Sequence, residues 1–105
     1  MCGIAGVVSN CGDAFNKINT LLKFIINRGP DAQKIQKIEQ NLFLAHSRLS
    51  IIDLNVRSNQ PMKGRDDISY IVFNGEIYNF KELKNTYLNS ISFKTQRDTE
   101  VLLEG

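Results

Sequence analysis

The sequence predicts an α+β fold, and two kinds of apolar pattern support this prediction. Residues 4–8 form a wholly apolar run beside Gly3, which is typical of a short buried strand. Residues 14–26 instead carry apolar side chains at the three- and four-residue spacing of a helix. Strand and helix patterns also follow one another farther along the 105 residues, and one mixed domain of modest size accounts for them.

The first predicted helix begins after Asp13, a residue type that often caps helices. It ends at Gly29 and Pro30, where Gly29 suits a left-handed conformation and proline cannot continue the helix. Residues 32–40 carry few apolar side chains among polar ones. We expect either an edge strand or an irregular segment there.

A third apolar pattern covers residues 42–49, where side chains alternate between two sets. A strand would place His46 and Arg48 on one face, because successive side chains point to opposite faces of a sheet. The apolar residues 51–54 continue this region, and residues 55–61 are predicted to form a loop.

The second half of the chain contains several turn signals. Residues 64–67 predict a turn that leads into a strand at 68–73. Asn74 and Gly75 both tolerate positive φ, so they predict a hairpin to a second strand at 76–78.

The last elements are predicted from capping residues. Asn79, three residues before Glu82, resembles a capping box that opens a helix. A short strand is expected at 91–93, and Asp98 is predicted to cap a helix that begins at Thr99.

Composition excludes several classes of function. The net charge of +2 is scattered along the chain, so neither nucleic-acid nor membrane-surface binding has electrostatic support. The sequence contains no signal-peptide pattern and no apolar run near the length of a membrane span, which favours a cytoplasmic protein. Cys2 and Cys11 lack zinc-ligand spacing and His46 is the single histidine, so we expect no metal site.

Cys2 is the first candidate for chemistry. Initiator methionine is usually removed before a small residue, which would leave Cys2 with a thiol and a free α-amine. These groups titrate near pH 8.5 and about 7.7–8.0, so the amine can serve as the general base of the thiol. Taken alone, Cys2 is better explained as an accidental small residue after Met1.

Six segments stand in a fixed order and together span the chain from end to end. They are Met1-Cys2-Gly3-Ile4, Arg28-Gly29-Pro30-Asp31, the run from Ala45 to Leu54, Asn59-Gln60-Pro61-Met62, the run from Asn74 to Asn79, and the run from Asp98 to Leu103. This ordered set resembles the class II glutamine amidotransferase domain, an N-terminal-nucleophile hydrolase, and within it the asparagine synthetase branch.

This resemblance implies the N-terminal part of a four-layer αββα sandwich with a mostly antiparallel sheet. Residues 1–105 would form a partial amidotransferase domain, and the synthetase domain would be absent. We therefore expect a truncated product or a fragment whose exposed sheet favours association, a homodimer being one such form. The glutaminase step needs no cofactor, and the family's ATP and Mg²⁺ belong to the synthetase domain.

The same resemblance assigns the catalytic residues. Cys2 is similar to the nucleophile that attacks the side-chain amide of L-glutamine and releases ammonia through a γ-glutamyl thioester. Asn74 and Gly75 resemble the oxyanion hole, where a side-chain amide and a backbone N–H stabilise the developing negative oxygen. The local alternative for these two residues is a plain hairpin turn.

Substrate-binding residues are implied in the same way. Arg48 resembles the residue that holds the α-carboxylate of glutamine, for which a guanidinium fork is well shaped. Asp98, with Glu76 nearby, would bind the α-ammonium group. Ile51 and Ile52 would line the pocket through backbone or apolar contact, although core packing is the better single explanation of these two residues.

Three readings of function follow. The first is the glutaminase half of a glutamine-hydrolysing asparagine synthetase, whose partner is an ammonia-accepting synthetase domain or subunit. A related amidotransferase of surface-glycan biosynthesis would share the same domain. A non-catalytic truncated remnant would keep the site residues without activity, whereas a generic small α/β domain fails to explain six ordered segments.

Overall fold

A computed structural model describes residues 2–49, 59–95 and 97–105, and it has the predicted α+β composition with antiparallel sheets. Residues 26–28 form a short 3₁₀ turn after the first helix. The elements in chain order are β1 Gly3–Val8, α1 Ala14–Ile25, β2 Ala32–Glu39, β3 Leu42–Arg48, β4 Met62–Lys63, β5 Tyr70–Ile71, α2 Phe80–Tyr87 and α3 Asp98–Glu104.

The first sheet has the strand order β1-β3-β2, and both pairings are antiparallel. Gly3 pairs with Ser47 in one ladder, and Ala32 pairs with Arg48 in the other. Helix α1 packs on one face of this sheet and contacts β1 and β3. The buried core between them consists of Val7, Ala14, Ile18, Phe43 and Ala45.

The predicted strand at residues 4–8 exists, but the prediction that it is wholly buried is wrong. Ile4 is 45% exposed and Val8 is 76% exposed, whereas Val7 is buried. Within the described residues β1 pairs only with β3, so alternate side chains face α1 and the others face away. The strand is therefore half-exposed.

Both ends of α1 differ from their predicted capping. Asp13 makes no capping hydrogen bond, because its carboxylate accepts from the Ser9 hydroxyl and pairs with Lys17 at 3.0 Å. Gly29 has φ −151°, which is extended rather than left-handed. A Cβ at Gly29 would lie 2.3 Å from the Ser47 carbonyl oxygen, so glycine is required by this close backbone approach.

Of the two structures expected for residues 32–40, the edge strand is the one observed. Strand β2 pairs with β3 alone in the described part of the chain. Strand β3 is the central strand, and its alternation places His46 and Arg48 on one face as predicted. The turn at 64–67 is also confirmed, because Asp67 N donates to Gly64 O at 3.2 Å.

The second sheet pairs β4 with β5, so the predicted strand at 68–73 shortens to two residues. The predicted hairpin at Asn74 and Gly75 is wrong, because no strand follows and the chain passes to α2. Neither residue has positive φ. The segment is instead held by tertiary contacts: the Asn74 side chain donates to Cys2 O, and Ile77 N donates to Asp98 Oδ2.

Three smaller predictions about the C-terminal half also fail. Residues 91–93 form no strand. Asn79 precedes α2 without a capping hydrogen bond from its side chain. Asp98 is itself the first residue of α3, and its carboxylate is used by the Ile77 amide rather than by the helix.

Helices contact both sheets, as the N-terminal part of a four-layer sandwich requires. Helix α1 lies on the first sheet, and α3 contacts both β5 and α2. No helix within the described ranges is long and apolar enough to cross a membrane. Ile51 and Ile52, with the rest of the apolar run 51–54, lie outside the described residues.

The α1–sheet core predicts a large difference between two substitutions on the same helix. Ile18 is fully buried, so Ile18→Ala should lower the free energy of unfolding by roughly 2–5 kcal/mol through lost burial and a cavity. Phe24 is 77% exposed, and Phe24→Ala should change it by only about 0.5 kcal/mol. Urea denaturation measures both, and equal losses would contradict this packing.

Candidate active site

Cys2 lies against the end of the central strand. Because Gly3 pairs with Ser47 in an antiparallel ladder, the same register brings Cys2 to Arg48, the last residue of β3. Leu49 N donates to Cys2 Sγ at 3.4 Å, and Sγ lies 3.9 Å from Leu49 O. The thiol is half-buried and its residue is fixed on one side by backbone groups.

Two side chains from distant segments bind the Cys2 carbonyl oxygen. Asn74 Nδ2 donates to it at 3.0 Å across 72 residues of sequence, and Arg28 Nε donates at 3.3 Å across 26. A primary amide carries two N–H donors, so Asn74 can hold Cys2 with one and present the other to a reacting oxygen. The predicted nucleophile and one predicted oxyanion donor therefore meet in the fold.

Gly75, the second predicted oxyanion residue, follows Asn74 on the exposed side of this segment. The Phe73 ring packs against it, and a Cβ at Gly75 would lie 2.9 Å from Phe73 Cζ. The glycine thus lets the chain pass close to the Phe73 ring. No contact tests the role of its N–H, so that role stays a prediction.

Arg48 is a buried cation at the end of β3, only 5% exposed. Its Nη1 donates to Asn59 Oδ1 at 2.5 Å, and its backbone oxygen accepts from Asp31 N at 3.0 Å. A guanidinium binds carboxylates well in general. The role of Arg48 in binding the substrate α-carboxylate stays a prediction.

His46 lies two residues before Arg48 on the same strand face and is 2% exposed. Burial, followed by the Arg48 charge, lowers the pKa of His46 from 6.5 to about 4. Its Nε2 has no hydrogen-bond partner among the described residues. The imidazole is therefore neutral near pH 7 and belongs to the packing of this face, as the sequence indicates.

Asp98 and Glu76 are the predicted ammonium-binding pair. Glu76 belongs to the segment that begins at Asn74, and Asp98, at the start of α3, contacts that segment at Ile77. Asp98 is buried, and its Oδ2 accepts from Ile77 N at 2.8 Å. Glu76 is exposed beside this bond. The fold brings Asp98 to the residue after Glu76, while the roles of both carboxylates stay predictions.

Sequence reasoning missed the roles of three residues: Arg28, Asn59 and Gln60. Each belongs to a segment that carried the resemblance, which was the available signal, but no local pattern indicates which residues they would contact. Arg28 contacts Cys2, and Asn59 contacts Arg48. Gln60 is buried and reaches both Phe73 and Thr99.

A separate cavity of about 280 Å³ lies beside this site rather than at Cys2. Asn59 and Pro61 form part of its wall, together with Lys34 and Glu100. Across the residues that the structure describes, no group of three or more His, Cys, Asp or Glu side chains is placed to hold a metal ion.

The buried neutral imidazole predicts a specific pH dependence of stability. The folded-state pKa of His46 lies below 6.5, so the unfolded chain binds more protons between pH 6.5 and 4. Acidification over that range should therefore lower the free energy of unfolding of the parent protein by up to roughly 3 kcal/mol more than that of the His46→Leu variant. Urea unfolding at pH 7 and pH 4.5 tests this difference, and an identical loss in both proteins would contradict it.

The comparisons with known proteins cover the whole chain. A family described as the glutamine amidotransferase domain matches residues 1–105. A probable glutamine-hydrolysing asparagine synthetase of Acanthamoeba polyphaga mimivirus is 38% identical, over 98% of this chain and 19% of its own length. The glutamine-hydrolysing asparagine synthetase B of Escherichia coli is also 38% identical, over 98% of this chain and 19% of its own length. The glutamine-hydrolysing asparagine synthetase 2 of Bacillus subtilis is 37% identical, over 98% of this chain and 14% of its own length. This chain, which spans about a fifth or less of these relatives, belongs to the glutamine amidotransferase family.

Proposed function

We propose that this domain hydrolyses L-glutamine to glutamate and ammonia, with Cys2 as the nucleophile. The observation that carries the proposal is the 3.0 Å hydrogen bond from Asn74 Nδ2 to the Cys2 carbonyl oxygen. This contact joins a candidate nucleophile to a candidate oxyanion donor from the opposite end of the chain. Membership of the amidotransferase family supports the same chemistry.

The proposed reaction begins after removal of Met1, which frees the α-amine of Cys2. The amine accepts the thiol proton, and the thiolate attacks the side-chain carbonyl carbon of glutamine. Asn74 Nδ2–H and Gly75 N–H stabilise the oxyanion of the tetrahedral intermediate. The ammonium of Cys2 returns the proton to the leaving nitrogen, which departs as ammonia, and water then hydrolyses the γ-glutamyl thioester to glutamate.

Charged groups of opposite sign support recognition of an amino acid. The buried Arg48 guanidinium would bind the α-carboxylate, and the carboxylates of Asp98 and Glu76 would bind the α-ammonium. Arg48 Nη1 is oriented by Asn59, and Asp98 by the Ile77 amide. A zwitterion supplies one partner for each sign of charge, and its side-chain amide would then be left for Cys2.

We also propose that the ammonia is passed to a synthetase domain or subunit that makes asparagine from aspartate. All of the named relatives are glutamine-hydrolysing asparagine synthetases, which favours this acceptor over a sugar. ATP and Mg²⁺ would serve that synthetase reaction and not the glutaminase step.

The assignment of the nucleophile predicts different outcomes for the two cysteines. Cys2→Ser should reduce glutamine hydrolysis to background, because a hydroxyl is far less acidic than a thiol. Cys11 is exposed in a turn, so Cys11→Ser should retain full activity. Glutamate release by the purified proteins measures both, and activity in Cys2→Ser would exclude the proposed mechanism.

The oxyanion assignment predicts that Asn74→Ala lowers kcat for glutamine about 10²- to 10³-fold, because one donor to the developing charge is lost. Asn19→Ala is a matched control, since Asn19 Nδ2 also donates to a backbone carbonyl, Phe15 O, at 2.8 Å. Steady-state kinetics should show parent-like values for the control. A kcat in Asn74→Ala within about threefold of the parent would refute the assignment.

A further inference from the structure

Gln60 is a buried polar residue, 6% exposed, that the proposed chemistry does not use directly. Both ends of its side-chain amide are bonded to segments that carry candidate site residues. We propose that Gln60 is a positioning residue that holds the predicted oxyanion donors, Asn74 and Gly75, in a fixed position relative to Arg48. This inference rests on the proposed glutaminase function.

The first contact fixes the start of residues 73–77, which we name the oxyanion segment because it contains Asn74 and Gly75. Gln60 Oε1 accepts a hydrogen bond from Phe73 N at 2.5 Å. Phe73 immediately precedes Asn74, and its ring packs against Gly75. The position of the Phe73 backbone amide therefore helps to determine the positions of the Asn74 side chain and the Gly75 N–H group.

The second contact ties the same amide to α3. Gln60 Nε2 donates to Thr99 Oγ1 at 3.4 Å, and Thr99 is 2% exposed. The neighbouring Asp98 holds Ile77 N, the other end of the oxyanion segment. Gln60 thus binds the oxyanion segment at Phe73, and Asp98 binds it at Ile77. Helix α3 connects these two contacts, because it contains both Asp98 and the Thr99 hydroxyl that Gln60 binds.

The residues on either side of Gln60 are bound to the first sheet. Asn59 Oδ1 accepts from Arg48 Nη1 at 2.5 Å, and Pro61 O accepts from Lys34 Nζ at 3.3 Å. Lys34 is paired with His46 across the β2–β3 ladder, so both anchors belong to the sheet face that carries Arg48. Backbone and side chain at residues 59–61 therefore connect the Arg48 face to the oxyanion segment.

This arrangement has a kinetic consequence that differs from general packing. An oxyanion donor acts only when it is correctly placed, and small displacements have large effects on rate. The hydrogen bonds of the Cys2 thiol in the described part of the chain are to Leu49 and not to Gln60. Loss of the Gln60 amide should therefore lower kcat while leaving the intrinsic reactivity of the thiol unchanged.

The test is Gln60→Met, which keeps the length of the side chain and removes both hydrogen bonds. We expect kcat for glutamine hydrolysis to fall about 10- to 100-fold, with KM within about threefold and iodoacetamide alkylation of Cys2 within about twofold of the parent. Gln36→Met is the matched control, because among the described residues Gln36 Nε2 donates to the adjacent Lys37 O and to no distant segment, and it should behave as the parent.

Each outcome separates this inference from the proposed function. A parent protein that hydrolyses glutamine, with a folded Gln60→Met variant whose kcat stays within threefold, would overturn the role of Gln60 alone. A parent protein that binds no glutamine and hydrolyses none would overturn both proposals. A rise in KM and a fall in thiol reactivity, each as large as the fall in kcat, would indicate general damage and would also overturn the positioning role.

A second variant covers the case in which Gln60→Met does not fold. Thr99→Val removes the hydroxyl acceptor of Gln60 with little change in side-chain volume. We expect a several-fold lower kcat with KM within about threefold, because the Gln60 amide loses one of its two supports. An unchanged kcat in folded Thr99→Val would overturn the inference.

Discussion

The antiparallel pairing of β1 with β3 is the constraint on which the rest of the site depends. It places Cys2 beside Leu49 and brings the N-terminus to the end of a strand whose last residue is the buried Arg48. A shift of one residue in this pairing would reverse the faces of β1 and separate Cys2 from these contacts. The closeness of Gly29 to Ser47 helps to fix this end of β3, because only glycine permits that approach.

Around this pairing the fold buries polar groups that need partners. The exposed fractions of Arg48, Gln60, Asp98 and Glu100 are all below a tenth, and each makes a hydrogen bond to another segment. Such networks are costly when half-satisfied and strongly favour one arrangement when complete. In this domain they organise the segments around Cys2, whereas the apolar core lies between α1 and the first sheet.

The sequence predicted the elements whose signals are local and periodic, and it failed where distant contacts decide the conformation. Residues 14–26 follow a helical period, and α1 was found there. Asn74 and Gly75 carry a strong hairpin signal, but contacts with Cys2 and through Ile77 with Asp98 determine their conformation instead. Their catalytic assignment came from resemblance alone, and the role of Gln60 needed the folded positions of Phe73 and Thr99.

The most direct test of the central claim is to look for a γ-glutamyl thioester on Cys2. The protein would be mixed with glutamine, quenched in acid, digested and mapped by mass spectrometry. The account predicts an N-terminal peptide that lacks Met1 and carries a γ-glutamyl group on Cys2, with no such group on Cys11. Glutamine hydrolysis without this adduct, in a protein that retains Met1, would contradict it.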